Sequence, residues 1–403
     1  MNFYVEMKKY QVLVFLIAAV CPVAFAQHAL WSGAALKSPE LRADRSAVFR
    51  LYAPEADSVS VSCDFLFEFV NSNRPQYTEK MEKDSTGVWT YTTPPMLVPD
   101  LYSYSFFVDG VKTLDPSNVF VNRDVATLSN YFIVKGGRGD LYSVNDVPHG
   151  TVSRVWYYSE SLKMNRRMTV YTPAGYEQGG ATYPVLYLLH GMGGDEEAWI
   201  SLGRTAQILD NLIASGKAKP MIVVMPNGNV SQEAAPGETP GRIDQHVFNL
   251  PKTMDGVMER SFTDIVEFVE RTYRVDKSKQ GRAIAGLSMG GFHSLHISKL
   301  YPDMFDYVGL FSSAIFPSDA PNGDTASDVY ADMEGRLKVQ FANPPKLYWI
   351  GIGRDDFLYK ANTEYRGILD RIGAEYTYYE TGEGHIWRNW RLYLSEFGQL
   401  LFR

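Results

Sequence analysis

Arg282-Ala283-Ile284-Ala285-Gly286-Leu287-Ser288-Met289-Gly290-Gly291 is the stretch whose reading decides the fold. Ala283 to Ala285 is a short apolar run of the kind that a sheet buries on both faces. Gly286 to Gly290 then matches G-x-S-x-G, a sharp turn from strand into helix. Such a turn crowds backbone against backbone, so the positions flanking the serine call for glycine. It lifts Ser288 clear of the sheet and aims its hydroxyl at the start of the next helix, where the helix dipole favours developing negative charge.

Working outward, strand-like runs recur at Met168 to Tyr171, Val185 to Leu189, Met221 to Met225, Tyr307 to Phe311, Leu347 to Ile352 and Tyr376 to Tyr379. Helical periodicity lies between them, near Glu196–Ala214, Val257–Tyr273, Gly291–Lys299, Lys360–Ile372 and Trp390–Leu401. This alternation predicts an α/β domain over residues 141–403, with a mostly parallel sheet and helices on both faces.

A serine hydroxyl is a poor nucleophile without a base. In a sheet carrying this elbow, the acid and then the histidine follow the serine along the chain. That order sorts the seven histidines. His28, His149, His190 and His246 precede Ser288, and His293 and His296 lie in the helix just after it. Only His385 is far downstream, in the loop Gly382-Glu383-Gly384-His385 after the last strand. The acid should end a strand between the two, and Leu347 to Gly353 is followed by Asp355 and Asp356. Neighbouring residues at a strand end point apart, so one of them faces the histidine. Asp356 is taken as the acid, with Asp355 as the alternative. His190-Gly191-Met192-Gly193-Gly194 ends the strongest apolar strand and lacks the third glycine of a dinucleotide loop. In an acyl hydrolase that loop supplies one oxyanion amide and the residue after the nucleophile the other, which assigns the backbone N–H groups of Met192 and Met289. Chemistry of this kind needs no metal and no cofactor.

Composition sets the outer limits. The chain has 403 residues, 45% hydrophobic and 21% charged, with 33 Gly and 21 Pro, which excludes a disordered, collagen-like or coiled-coil protein. A net charge of −7 without basic blocks argues against nucleic acid or an anionic membrane as partner. Two Cys exclude a disulfide scaffold and a cysteine-rich zinc site. Lys8 and Lys9, the apolar run Val12 to Val20 and Ala24-Phe25-Ala26 read as a signal peptide over residues 1–26, so the protein is expected to be secreted or periplasmic. The run is too short for a membrane span. Lipidation at Cys21 ranks lower, because Ala-Ala-Val before it lacks the small residue such a site needs. With the signal removed, Cys63 is the one remaining thiol and no internal disulfide can form.

Residues 27–140 have a different texture. Val48 to Tyr52, Val59 to Val61, Val88 to Thr92 and Tyr102 to Val108 are short and rich in β-branched and aromatic residues, with turn chemistry between them. This predicts a small all-β immunoglobulin-like sandwich with no helix. Tyr77, Trp89, Tyr91 and Tyr104 are open between core packing and an exposed surface. Gly136-Gly137-Arg138-Gly139-Asp140 reads as a hinge to the second domain. Asn227 to Lys252 is long and aperiodic after a strand, so it is expected on the site's side of the sheet. Trp199, Trp387 and Phe357 are candidate substrate-binding walls, with Trp390 behind them.

Taken together, these segments resemble carbohydrate esterase family 1, the feruloyl and acetylxylan esterases of the α/β-hydrolase fold. The resemblance rests on Tyr187-Leu188-Leu189-His190-Gly191 with Trp199, Tyr273-Arg274-Val275-Asp276, Ala283 to Gly291, Gly353 to Leu358 and Gly384-His385-Ile386-Trp387. In these relatives the acid lies three residues after the strand-ending glycine, which implies Asp356. The first half is similar to the early-set sandwich of family 48 carbohydrate-binding modules, through Phe49 to Pro54, Tyr102 to Asp109 and Leu114-Asp115-Pro116. The resemblance implies a secreted serine esterase that removes feruloyl or acetyl groups from plant polysaccharide or its oligosaccharides. The same group holds enterochelin esterases and S-formylglutathione hydrolases, so a siderophore esterase or an acyltransferase is the rival on this fold. A non-catalytic carbohydrate-binding protein is the rival of another class, and the intact Ser, Asp and His set weighs against it.

Overall fold

A computed structural model describes residues 36–68, 78–239, 252–316 and 327–403. The expected signal segment with Cys21, Tyr77 and residues 240–251 of the long loop lie outside them. The first half forms two antiparallel sheets. One takes β1 (Glu40–Leu41), β2 (Ala47–Tyr52), β5 (Glu82–Lys83) and β6 (Val88–Thr92) in the order β1-β2-β6-β5. The other takes β3 (Val59–Cys63), β4 (Thr78–Lys80), β7 (Leu101–Val108), β9 (Val121–Asp124) and β10 (Thr127–Ile133) in the order β4-β3-β7-β10-β9. A short β8 (Val111–Thr113) pairs with β7. Alternation does the work: in β3 Val59, Val61 and Cys63 face inward while Ser60 and Ser62 do not. Phe49, Val61, Tyr104, Phe106 and Phe132 fill the space between the sheets. Trp89 and Tyr104 belong to this core, with the Trp89 indole donating to the Ala53 carbonyl at 2.9 Å. One 3-10 turn, Asp64–Glu68, interrupts the all-β pattern.

The second half is one eight-stranded sheet. Its strands are β11 (Thr151–Ser159), β12 (Met164–Thr172), β13 (Val185–Leu189), β14 (Ile222–Pro226), β15 (Arg282–Leu287), β16 (Tyr307–Phe311), β17 (Leu347–Gly353) and β18 (Thr377–Thr381), ordered β11-β12-β14-β13-β15-β16-β17-β18. Pairing is parallel from β14 onward, and β11 and β12 close one edge antiparallel. Both faces are covered, which is why β13, β14 and β16 are buried at every residue. Val185, Tyr187 and Leu189 enter one core and Leu186 and Leu188 the other.

Eight helices are described: α1 (Gly137–Tyr142), α2 (Ala198–Ser201), α3 (Thr205–Ala214), α4 (Val257–Thr272), α5 (Met289–Leu300), α6 (Met333–Ala342), α7 (Tyr359–Ile372) and α8 (Trp387–Leu400). α4 to α7 cover one face of the sheet, and α3 and α8 cover the other. No helix among the described residues is long and apolar enough to cross a membrane.

The Gly136–Asp140 stretch departs from the hinge reading. It enters α1, whose Tyr142 is fully buried, and Asn211 on α3 donates to the carbonyls of Leu141 at 2.8 Å and Ser143 at 3.0 Å. Leu101 of the sandwich and Tyr142 join the core under α3 and α8. Ser38–Arg403 is accordingly one compact unit. The expected helix over Glu196–Ala214 is also two pieces, because Arg204 at φ 55° breaks it. β11 and α6 were absent from the sequence reading.

Candidate active site

Ser288 sits at φ 53°, ψ −114°, a region that non-glycine residues rarely occupy. The surroundings impose it. Its N–H donates to Phe311 O at 2.9 Å, and its carbonyl accepts from Phe292 and Ala314, each at 3.0 Å. A Cβ on Gly286 would lie 2.4 Å from the Gly290 carbonyl, and one on Gly290 would lie 2.3 Å from the Leu189 carbonyl oxygen. The two glycines therefore exist to let β15, α5 and the end of β13 touch. Strain of this kind persists only where neighbours over-determine it, and it presents the hydroxyl at a helix start.

Asp356 and His385 meet beyond the ends of β17 and β18. His385 Nδ1 lies 3.1 and 2.9 Å from the two Asp356 carboxylate oxygens, and the Asp356 side chain is fully buried. Asp356 Oδ1 also accepts from the Leu358 N–H at 2.9 Å. Asp355 is exposed, and its N–H is spent on the Glu383 carbonyl at 3.0 Å. The histidine's loop is pinned from α8: Asn389 Nδ2 donates to the carbonyls of Gly382 at 3.1 Å and Gly384 at 3.0 Å. The imidazole lies between Phe357, at 4.6 Å between ring centres, and Trp390, at 4.9 Å. With Nδ1 committed to Asp356, Nε2 is the nitrogen left to exchange a proton. Ser288 and His385 line one cleft of about 970 Å³.

The loop after β13 approaches from the other side. His190 is fully enclosed, with Nδ1 donating to Gly191 O at 2.8 Å and Nε2 accepting from the Gly228 N–H at 2.8 Å. Burial pushes its pKa down to about 4, so the ring is a neutral strut between two loops. Gly191 packs against Leu287 and Ser288, which brings Met192 to the cleft beside Met289. Among the described residues, neither the Met192 nor the Met289 N–H has a hydrogen-bond acceptor. Met289 opens α5, where the first N–H groups have no partner within the helix.

The aromatic residues divide. Phe357 is 76% exposed at the cleft mouth and Trp387 lines the cleft, with Trp390 behind it. Trp199 is not a wall residue: it is 1% exposed, its indole donates to Leu189 O at 2.9 Å, and it meets the cleft only by an edge contact with Trp387 at 5.3 Å. An apolar indole at the start of a short helix beneath the sheet ends gains more from burial than from solvent. Of the long loop, the described residues Ala235, Pro236 and Glu238 line the cleft, on the side where β14 ends.

One wall was not legible in the sequence. The sandwich contributes Lys112, Arg123, Asp124, Thr127 and Ser129 to the same cleft. Arg123 pairs with the buried Asp195 at 2.5 Å. Burial pushes the Asp124 carboxyl above the usual range, with the neighbouring Trp387 side chain acting against it. No group of three or more His, Cys, Asp and Glu side chains among the described residues could hold a metal ion.

Comparison with known proteins bears on both halves. The "Putative esterase" family model matches residues 159–396, and carbohydrate-binding module 48 (isoamylase N-terminal domain) matches residues 33–121. The endo-1,4-beta-xylanase/feruloyl esterase of Xylanibacter ruminicola is 28% identical over 387 residues, covering 91% of this chain and 46% of that protein. The chain thus spans less than half of that relative's length. The CE1 ferulic acid esterase of Anaeromyces mucronatus, solved without substrate, is 25% identical with a TM-score of 0.53, over 65% of this chain and 95% of that one. The enterobactin esterase of Shigella flexneri shares the fold through both layers, with a TM-score of 0.63 at 16% identity, over 89% of this chain and 92% of that one.

Proposed function

This chain belongs to the "Putative esterase" family, and on that premise we propose that it is a secreted serine esterase that removes feruloyl or acetyl groups from xylan-type plant polysaccharide or its oligosaccharides. The observation that carries the reading is the double contact of His385 with Asp356, at 3.1 and 2.9 Å, in the cleft that Ser288 enters from its strained elbow. Ser288 Oγ attacks the ester carbonyl and His385 Nε2 takes its proton. Asp356 holds the imidazole in the tautomer with the proton on Nδ1 and stabilises the imidazolium. The Met192 and Met289 N–H groups bind the oxyanion, each donor contributing on the order of 3 kcal/mol in the transition state. His385 then protonates the leaving sugar alkoxide. Water, deprotonated by the same nitrogen, cleaves the acyl-enzyme and releases the carboxylate.

The aromatic side of the cleft, Phe357 and Trp387, suits a hydroxycinnamoyl ring and leaves room for acetyl. Lys8, Lys9 and the run to Ala26 support export. Ser288→Ala is expected to abolish hydrolysis of methyl ferulate and of an aryl acetate with an unchanged circular dichroism spectrum. Turnover retained in that variant would sink the mechanism. Feruloylated and acetylated arabinoxylan, compared at equal ester concentration, decide the acyl group. A second reading, a siderophore-type esterase, is favoured by the two-layer likeness to the enterobactin esterase. A catecholate trilactone hydrolysed faster than both polysaccharide esters would select it.

A further inference from the structure

Strand β11 carries two large aromatic side chains out of the fold at one edge of the eight-stranded sheet. Trp156 is 44% exposed and Tyr158 is 52% exposed. Residues two apart on a strand point to one side, about 7 Å apart, so both rings share the face that holds Arg154. The register against β12 sets Asn165 beside Tyr158 and Arg167 beside Trp156. β11 is antiparallel to β12, and β12 to β14, so β11 runs with the central strands. Its aromatic end therefore lies at the end of the sheet from which Ser288 rises. The Trp156 ring is held in place from beneath. The Arg167 guanidinium lies 6.0 Å from the ring centre and is fixed by Glu196 at 2.7 Å, Glu238 at 2.9 Å and Glu197 at 3.1 Å. Arg154 grips Glu197 through two bonds of 2.8 Å. Edge strands are ordinarily guarded by charged side chains. Here both arginines are taken up by glutamates, and the aromatic rings face solvent.

Arg154, Arg167, Glu197 and Glu238 also line the catalytic cleft, so the aromatic face continues the cleft outward past its rim. Three strands, β12, β14 and β13, separate β11 from the nucleophile's strand β15. The rings thus stand four strand spacings, roughly 19 Å, from that strand. This is too far for the sugar that bears the ester and within reach of a polymer that runs on from it. A rigid aromatic face takes the apolar C–H side of a pyranose, and the amide of Asn165 and the guanidinium of Arg154 stand ready for its hydroxyls. Three glutamates against two arginines beneath the rings disfavour a polyanion. We propose that Trp156 and Tyr158 form an accessory platform for a neutral polysaccharide chain, outside the catalytic cleft, that holds long substrates while their esters are cleaved. The proposal rests on the function argued above and extends it from the ester to the polymer.

The test is chain length, measured on the full-length protein. The ratio of kcat/KM for a ferulate ester on arabinoxylan oligosaccharides of increasing length to kcat/KM for methyl ferulate should rise with length in the wild type. The double variant Trp156→Ala/Tyr158→Ala should lower the ratio on the longest chains about five- to tenfold, mainly through KM. Tyr158→Ala alone leaves Arg167 covered and should show part of the loss, and Trp156→Phe should restore most of what Trp156→Ala removes. Equal losses on methyl ferulate and on long chains would mean that the rings only brace the Arg167–Glu238 contact, and would overturn the proposal. So would a wild-type ratio that does not change with length. A dimer seen by ultracentrifugation for the wild type and absent in the double variant would assign the face to a second copy of the chain, and would overturn it too. A second readout needs no turnover: the fraction of Ser288→Ala protein retained on insoluble arabinoxylan should fall severalfold when the two aromatic substitutions are added. Wild-type protein that hydrolyses no ester, together with retention that the substitutions abolish, would sink the esterase function and support the platform. Ester hydrolysis with retention and length dependence untouched by the substitutions would sink the platform alone.

Discussion

Arg388→Met tests the joint between the two layers most directly. Arg388 lies on α8 three residues after His385 and is 3% exposed. Its guanidinium pairs with Glu383 at 2.5 Å, approaches the fully buried Asp100 at 3.9 Å, donates to Asp64 O at 3.4 Å and covers the Tyr102 ring at 4.9 Å. Methionine keeps the apolar stem and deletes the charge. Removing one partner of a buried pair typically costs about 3–5 kcal/mol. Asp100 still has Arg138 at 3.2 Å and Arg391 at 3.9 Å, so the lower end applies, about 3 kcal/mol. For a unit the size of Ser38–Arg403, each kcal/mol corresponds to roughly 1 °C of unfolding midpoint, giving a fall of about 3–4 °C by calorimetry. Glu383 anchors the loop that carries His385, so turnover of methyl ferulate should drop by roughly ten- to a hundredfold as the imidazole loses its register. The cause is a buried carboxylate left with less positive charge around it, so Asp100→Asn should cost less in the Arg388→Met background than in the wild type, by about 1 kcal/mol or more. Strict additivity of the two changes, or a variant with unaltered midpoint and turnover, would refute the assignment of Arg388 as the charged link between the sandwich and the histidine loop.

Three further outcomes are expected. Asp356→Asn keeps an acceptor for the Leu358 N–H but favours the wrong imidazole tautomer, so kcat should fall by about 10⁴ with the urea midpoint little moved. His190 titrates near 4 in the folded chain and near 6.5 unfolded, so its contribution is complete above about pH 6.5 and drains as pH falls toward 4, at up to about 1.4 kcal/mol per pH unit; urea midpoints from pH 7 to 4.5 should drop less steeply in His190→Asn. Gly290→Ala drives a Cβ to 2.3 Å from the Leu189 carbonyl and should abolish activity together with soluble expression, whereas Gly382→Ala, whose Cβ meets nothing, should express normally.

The strands and helices that bury a continuous face were legible, because burial on one or both faces leaves a period in the sequence. β11 was not: it is an edge strand with Arg154, Trp156 and Tyr158 exposed, so its alternation is masked by amphipathic residues. α6 was missed because Gly335 interrupts it and only Leu337 and Gln340 are buried. The Gly-rich stretch before α1 reads as a hinge because composition reports backbone freedom and is silent about Tyr142 finding a core and Asn211 capping its carbonyls.

At the site, the elbow and the chain order single out Ser288 and His385 as groups with a shared task, since both signals are local or ordinal. Choosing between Asp355 and Asp356 needed the closure of two loops, and Trp199 could be told from Trp387 only by its burial beneath the latter. Asp124, Thr127 and Ser129, which also line the cleft, come from a hairpin about 160 residues before Ser288. Local physics, in the strand period, the turn glycines and the order of acid and base, is written along the chain and is determined by the sequence alone. Which surfaces meet across the sandwich and the sheet depends on the summed burial of cores distant in sequence. Only the tertiary structure decided that side chains from both halves of the protein, Phe357 and Trp387 from one and Asp124, Thr127 and Ser129 from the other, line one cleft.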